Sequence, residues 1–410
     1  MKPAWKTVHF AITLLTVVFG GHAENWPAWR GPRGDGSSLE KNVPVHWSAT
    51  SNVVWKTALP GGGHASPVVW GDRVFTVSAV APTQERLLLC LDRDSGRLVW
   101  QKNVLTSPME RKHAQNSHAS STPATDGQRV YVAFLDNKEM VVAAYDFEGN
   151  ELWKVRPGTF ASVHGFCSSP LLYQDKVILN GDHDGESYLV ALDKKTGKTV
   201  WKTPRQNQTR SYCAPLIRDM AGRTQMVLSG DKCVASYDPA TGRLLWMLDG
   251  PTDQFVASPV YSKKTGLVYI TGGYPDHHIL ALKPDGAGKI GEEKIVWRTH
   301  RGVAYVPSPI IEGDYFLVVS DSGVAHCFDA ATGEILWQER MGHHHTSLVS
   351  AEGRVYFIND DGVARVVKPG REFQLLAKNE LSEGCYASPA ISRKHLFIRG
   401  DKHLFCIGGK

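Results

Sequence analysis

Histidine returns at one register of this chain. His64, His118, His164 and the run of His343, His344 and His345 each stand shortly before a Ser-Pro pair or its equivalent. At the matching places elsewhere the chain carries Arg210 with Tyr212 and Cys213, Gln254 with Phe255, Arg301 with Tyr305, and Cys385 with Tyr386. If these segments converge, they form a rim of imidazole, phenol and thiol groups. Imidazole is the commonest metal ligand and titrates near neutral pH, so such a rim could hold zinc or copper or, once protonated, an anion. Aromatic and polar groups around one concavity also suit a small molecule or a peptide. Only neighbouring segments are close enough to share an ion, which selects His64 with His118, His118 with His164, or the run at 343–345. The residues expected to contact a ligand are His64, His118, His164, Arg210, Tyr212, Phe255, Tyr305, His344 and Tyr386. No metal ligand set and no catalytic residue can be assigned.

The elements that must bring these segments together are written in a period. Trp55, Trp100, Trp153, Trp201, Trp246, Trp297 and Trp337 recur at intervals of 39 to 53 residues once Leu376 is counted in the eighth register. A repeat of this size with several β-rich runs inside it is the signature of propeller blades. The fullest unit opens at Ser169 and Pro170 and reads strand, strand, Asp184-Gly185 turn, strand, Thr196-Gly197 turn and the strand containing Trp201. Such turns need residues that tolerate positive φ. The pattern D-x-x-[ST]-G-x-x-x-W is intact from Asp92, Asp193, Asp238 and Asp329; it is shortened after Asp146, interrupted after Lys283 and without tryptophan after Lys368. Each tryptophan is expected to lie against the glycine turn of a neighbouring blade, a structural role.

Innermost strands start at Pro67, Pro123, Pro170, Pro215, Pro259, Pro309, Leu348 and Pro389, which makes eight. The eighth unit has no fourth strand, whereas the strand around Trp55 has no blade of its own. The expected fold is therefore an all-β, eight-bladed propeller of four-stranded antiparallel sheets, closed by residues 53–59 joining the C-terminal blade. Closure of this kind removes free sheet edges. The domain plan is a leader over 1–23, an extension over 24–52 and the propeller over 53–410. Residues 25–50, with Trp26, Trp29 and RGPRGDG, are expected to pack across the outside or the bottom of the ring.

Lys2 and Lys6 flank the charged start of an apolar stretch from Val8 to Gly20, and Gly21, His22 and Ala23 precede Glu24 with small residues at cleavage positions. Thirteen residues are too few to span a bilayer comfortably, so a Sec leader is expected and no membrane span. No cysteine precedes Cys90, so no lipid attachment is expected, and the product should be periplasmic or secreted and monomeric. The formal net charge is +5, too small over this length to argue for nucleic acid.

Of seven cysteines, Cys90, Cys327 and Cys406 fall in third strands where other blades carry Ala144, Ala191 and Ala281, the pattern of small buried residues. Cys167 and Cys213 come from adjacent blades on the rim, and an oxidising compartment would allow a disulfide if their Cα atoms lie within reach. The acidic runs at 181–187, 320–323 and 359–362 lack the ligand count of a calcium loop, and Asp-Gly hairpins account for them. No nucleophile elbow, P-loop, HExxH or dinucleotide fingerprint is present.

The repeated ALDxxTGxxxW with SPxxxxDxVY resembles the pyrroloquinoline-quinone-type β-propeller repeat over nearly the whole mature chain. The opening WPAWRGPRGDG, with VVWKTALPGGGHASPVVWGDRVF, resembles a secreted bacterial branch of that superfamily. The resemblance implies one of two kinds of protein: a dehydrogenase holding the quinone with calcium, or a non-enzymatic scaffold such as the outer-membrane assembly propeller. The Cys-Cys pair that clamps the quinone in the large dehydrogenases and the C-x-x-C-H of attached haem are both missing here. Fold alone does not choose, so the site must. The expectation is an exported, non-enzymatic binding propeller with a protein, small-molecule or glycan partner at the channel rim and no cofactor. The alternatives are a quinone-dependent oxidoreductase of alcohols or aldoses, with pyrroloquinoline quinone and calcium, and a carbohydrate-binding protein using Phe255, Tyr305 and Tyr386.

Overall fold

Eight sheets of antiparallel strands follow one another around a ring in a computed structural model that describes residues 23–409. The expected leader lies outside the described residues apart from Ala23. Blades 1 to 8 have innermost strands Val68–Trp70, Ala124–Thr125, Leu171–Tyr173, Leu216–Met220, Val260–Ser262, Ile310–Glu312, Val349–Ala351 and Ala390–Ser392. Their second and third strands are almost continuously buried, as in Arg73–Val80 with Glu85–Asp92, because both sheet faces pack on neighbours. Val53–Ala58 pairs antiparallel with His403–Ile407, setting Trp55 opposite Cys406 as the fourth strand of blade 8. The ring is thus closed by its own chain start.

Two sets of contacts bind blade to blade. Trp153, on the outer strand of blade 2, donates its indole N–H to the Lys194 carbonyl in the last turn of blade 3 at 3.0 Å. Gly197 of that turn has φ +71°, and a Cβ there would lie 2.7 Å from the Trp153 ring. Only glycine supplies this conformation and this clearance together. Trp55, Trp100, Trp201, Trp297 and Trp337 bond the corresponding turns of their following blades through Arg93, Phe147, Pro239, Ala330 and Gly370. Trp246 departs from the rule and donates to Gln225 of its own blade. Its neighbour carries the insertion after Lys283, and Gly288–Lys289 of that insertion instead pairs along the outer strand Leu244–Asp249. The eighth register has no tryptophan because blade 8 has no hairpin there to receive one; its outer strand comes from the chain start.

The second set explains the Ser-Pro repeat. Ser66 N–H donates to Thr122 Oγ1 at 3.0 Å and Thr122 N–H to Ser169 Oγ at 2.9 Å. A second arc runs from Ser258 to Ser308, from Ser308 to Ser347 and from Ser347 to Ser388, each at 2.8 to 2.9 Å. Each hydroxyl satisfies a buried backbone donor of the preceding blade, which would otherwise cost about 1–3 kcal/mol. The belt breaks at blade 4, where Ala214 stands in the serine register. It also lapses between blades 8 and 1, where Ser66 Oγ has no partner, and there Arg399 bridges the two blades, donating to Thr76 Oγ1 and Ser78 Oγ from a buried position.

The N-terminal extension takes a course that the sequence reading put across the outside or bottom of the ring. Residues 24–41 enter the channel. Trp26 pairs in both directions with Val69 of blade 1, and Thr125 of blade 2 donates to the Pro27 carbonyl. The Arg30 guanidinium, buried, donates to the carbonyls of Ser308, Pro309 and Leu348. Arg218 of blade 4 holds Asp35, and Ser37–Ser38 runs parallel to the innermost strand of blade 7. Ser392, at the end of its strand away from the rim, donates to the Glu24 carbonyl. The segment therefore plugs the end of the channel opposite the rim. Residues 43–47 then cross to blade 7, where Trp47 stacks 6.4 Å from Tyr356.

Truncating Trp153 to alanine should destabilise the protein by about 3–5 kcal/mol through lost burial and the cavity left behind. Gly197→Ala should also destabilise it. The double variant should cost clearly less than the sum, because both changes break one contact. Urea unfolding followed by circular dichroism checks this, and strict additivity would show that the two residues act separately.

Candidate functional site

At the rim the entry loops of the blades descend to the serine belt and surround a cavity of about 620 Å³. Its floor is Trp29 of the plug, whose indole N–H donates to Ser258 Oγ at 3.1 Å. A second cavity of about 740 Å³ adjoins it, sharing His164, Tyr305 and Asp321. The channel is thus a pit open at one end.

Five of the nine residues expected at a ligand face the main cavity: His64, His164, Tyr212, Tyr305 and Tyr386. Arg210 lines the adjoining one, with its guanidinium on both oxygens of Asp184 at 2.9 and 3.0 Å. The other three do not reach the cavity. Phe255 is fully buried in the interface of blades 4 and 5, seated over Gly272, where a Cβ would lie 2.3 Å from its ring. His344 is fully buried, bonded to the Gly342 carbonyl and edge-on to Phe357. Its neighbours His343 and His345 line the cavity in its place, since successive residues of an extended segment point to opposite sides. His118 is turned to the Glu110 carbonyl at 2.8 Å. Neither expected pair involving His118 therefore forms.

The imidazoles that do meet form two groups. His64 stacks on Tyr386 at 4.8 Å with 12° between planes, and the His345 ring lies 5.0 Å from the same tyrosine ring, tilted by 42°. Across the cavity His164 sits 5.4 Å from His113 and 5.8 Å from Tyr212. His113 escaped sequence reasoning because it lies in the middle of the long 107–123 connection, outside the Ser-Pro register. Asp321 and Asp360 escaped it for another reason. Both are in hairpin turns, as expected, closed by Gly323 N–H to Ser320 O and Gly362 N–H to Asn359 O. Yet both residues line the cavity. Asp321 accepts the backbone N–H groups of Tyr305 and Val306 at 2.7 and 3.1 Å, and Asp360 Oδ2 pairs with His345 Nδ1 at 2.8 Å. Asp360 Oδ1 is buried without a partner.

Burial governs the electrostatics. It lowers His64 to about 4, helped by the charges of Arg399 and His345. It lowers His164 as well, with Arg210 assisting. It raises the Asp321 carboxyl despite the two amide donors, and raises Tyr305 and the Cys167 thiol to about 12. All seven cysteines are free thiols, Cys167 and Cys213 included. Among the described residues no group of three or more His, Cys, Asp or Glu is placed to hold a metal ion. The arrangement offers imidazole and phenol rings, hydroxyls and two carboxyl groups: groups for stacking and hydrogen bonding.

The quinone implied by the resemblance carries three carboxylates and sits with calcium. No lysine or arginine lines the cavity, and its two acids are each bonded to neighbouring backbone or imidazole. A tricarboxylate placed beside them would be buried without counter-charge, which is costly. The residues present do not fit that group.

The pKa values near 4 of His64 and His344 give a stability profile. An unfolded chain protonates these rings near 6.5, whereas the folded protein refuses the proton until about pH 4. Their contribution should therefore be complete above about pH 6.5 and lost as pH falls toward 4. Titration of ring carbon-bound protons by NMR should find both rings neutral at pH 5; midpoints near 6.5 would contradict the burial described.

Known proteins resemble this chain at two levels. Residues 84–282 and 275–371 match the family described as outer membrane protein assembly factor BamB. The outer membrane protein assembly factor BamB of Burkholderia pseudomallei is 24% identical over 326 residues, covering 75% of this chain and 74% of its own length. A polyvinylalcohol dehydrogenase of a Pseudomonas species is 22% identical over 70% of this chain but only 46% of its own length. In three dimensions, BamB of Moraxella catarrhalis superposes with a TM-score of 0.63 at 15% identity over 87% of this chain and 97% of that one. A europium-containing methanol dehydrogenase superposes with a TM-score of 0.58 at 14% identity over 93% and 90%. At these identities the superpositions establish the propeller alone, as fold does not carry function. The sequence match spans well over half of the chain, and the protein belongs to the outer membrane protein assembly factor BamB family.

Proposed function

We propose that the protein is an exported, non-enzymatic binding propeller that serves envelope protein assembly, with the channel rim as its contact face. Membership of the assembly-factor family supports the role. The observation that carries the choice of surface is the character of the rim itself. It is a pit with aromatic walls, edged by exposed apolar side chains. Tyr274 and Val163, 59% and 51% exposed, stand at the mouth of the adjoining cavity. Other exposed apolar residues, such as Leu152, Val200 and Val296, lie on the outermost strands. Aromatic anchors beside a preformed concavity are the usual hot-spot arrangement of a protein interface. No helix among the described residues is long and apolar enough to cross a membrane.

A photo-reactive residue replacing Tyr274 in the native host tests this reading, with one replacing Val200 on the outer strand as control. Adducts containing an outer-membrane assembly component are expected from position 274 and not from 200. Adducts from 200 alone would move the contact to the outer wall. Stoichiometric binding of pyrroloquinoline quinone, with dye-linked oxidation of an alcohol or aldose, would replace the scaffold with an oxidoreductase.

A further inference from the structure

The pit is lined by two acidic residues and by no lysine or arginine, and that imbalance points to what enters it. Asp321 and Asp360 come from the hairpins of blades 6 and 7 and flank the loop carrying His343 and His345. The loop is held between them: Asp321 O accepts from His344 N–H at 3.1 Å, and Asp360 N–H donates to His343 O at 2.8 Å. Both residues line the cavity, and no lysine or arginine does. Arg399, whose charge reaches His64, is committed to Thr76 and Ser78. His345 uses Nδ1 on Asp360 Oδ2, which leaves Asp360 Oδ1 buried and unpartnered. An unmet buried acceptor is rare and costly in a native protein.

Around this acidic corner stand Tyr305, Tyr386 and, beneath, Trp29. Aromatic faces attract cations, most strongly when water is excluded, and their flat walls suit a planar guanidinium better than a hydrated ion. A metal ion lacks its third ligand here. An anion would meet two acidic residues and neither lysine nor arginine. We propose that the rim cavity is a receptor for an organic cation, a guanidinium or ammonium on an aliphatic stem, which Asp360 and Asp321 receive between Trp29, Tyr305 and Tyr386. This names the chemistry of the site on which the proposed function rests. The cation is either a basic side chain of a partner polypeptide or a free small amine.

Calorimetric titration of the full mature protein separates the possibilities. The probes are acetyl-Gly-Arg-Gly-amide, the same tripeptide with neutral citrulline for arginine, and agmatine. The arginine peptide should bind at least about tenfold more tightly than the citrulline peptide, since only the charge differs. Asp360→Asn should abolish most of that preference. Agmatine matching the arginine peptide assigns the site to a free amine; agmatine binding much more weakly assigns it to a polypeptide side chain. Equal binding of the arginine and citrulline peptides, or no binding of any probe, overturns the proposal. The comparison of peptides in the unaltered protein needs no variant, so a folding defect in Asp360→Asn leaves it decisive. Cross-linking from position 274 is independent of these titrations, so the contact face can stand while the cation receptor falls.

Discussion

A four-stranded blade has two apolar faces, and neither is stable in water by itself. Every other feature of this molecule follows from the need to cover both. Stacking blades in a line would leave the first and last faces bare; bending the stack into a ring covers all of them. What holds adjacent blades in register is a pair of directional contacts at opposite radii. Near the axis, a serine hydroxyl takes the amide of the blade before it. At the periphery, an indole lies on the glycine turn of the blade after it. The two sets fix the tilt of one sheet against the next, and so determine how the entry loops converge.

That convergence makes a tube, and the chain start makes the tube a pit. The segment containing Trp26, Trp29 and Arg30 is irregular, yet its polar groups are satisfied by innermost strands around the circle. Gly36 shows how tightly it is fitted: a Cβ there would lie 2.6 Å from the Leu348 carbonyl oxygen and 2.8 Å from the Arg30 guanidinium. The plug thereby supplies both closure and chemistry, since Trp29 is at once the stopper and the floor of the cavity. A channel without it would present water where an aromatic face now stands.

The blade count and the ring closure were legible in the sequence because they depend on period and on counting strands. The cavity was legible only where its residues share that period, as His64, His164 and Tyr305 do. Asp321 and Asp360 were read correctly as turn residues, but a turn assignment says nothing of where a carboxyl group points. His344 was chosen from a run of three whose alternation already implied that its neighbours share one side. Phe255 looked exposed because its loop is on the rim, whereas Gly272 opens a pocket for it in the adjacent strand. The plug has no period at all. Its partners, Val69, Thr125 and Ser350, are scattered along the chain and become neighbours only when the circle is drawn.

The sealing of blade 8 also constrains how a nascent chain reaches this state. Val53–Ala58 is among the first strands made, and its partner His403–Ile407 is the last. The two are separated by roughly 350 residues, among the most non-local pairings the chain can form, and such contacts come late in folding. Until that moment two sheet edges stay open and adhesive. Loss of either strand would strip the same blade, so Val53–Ala58 and His403–Ile407 fail together.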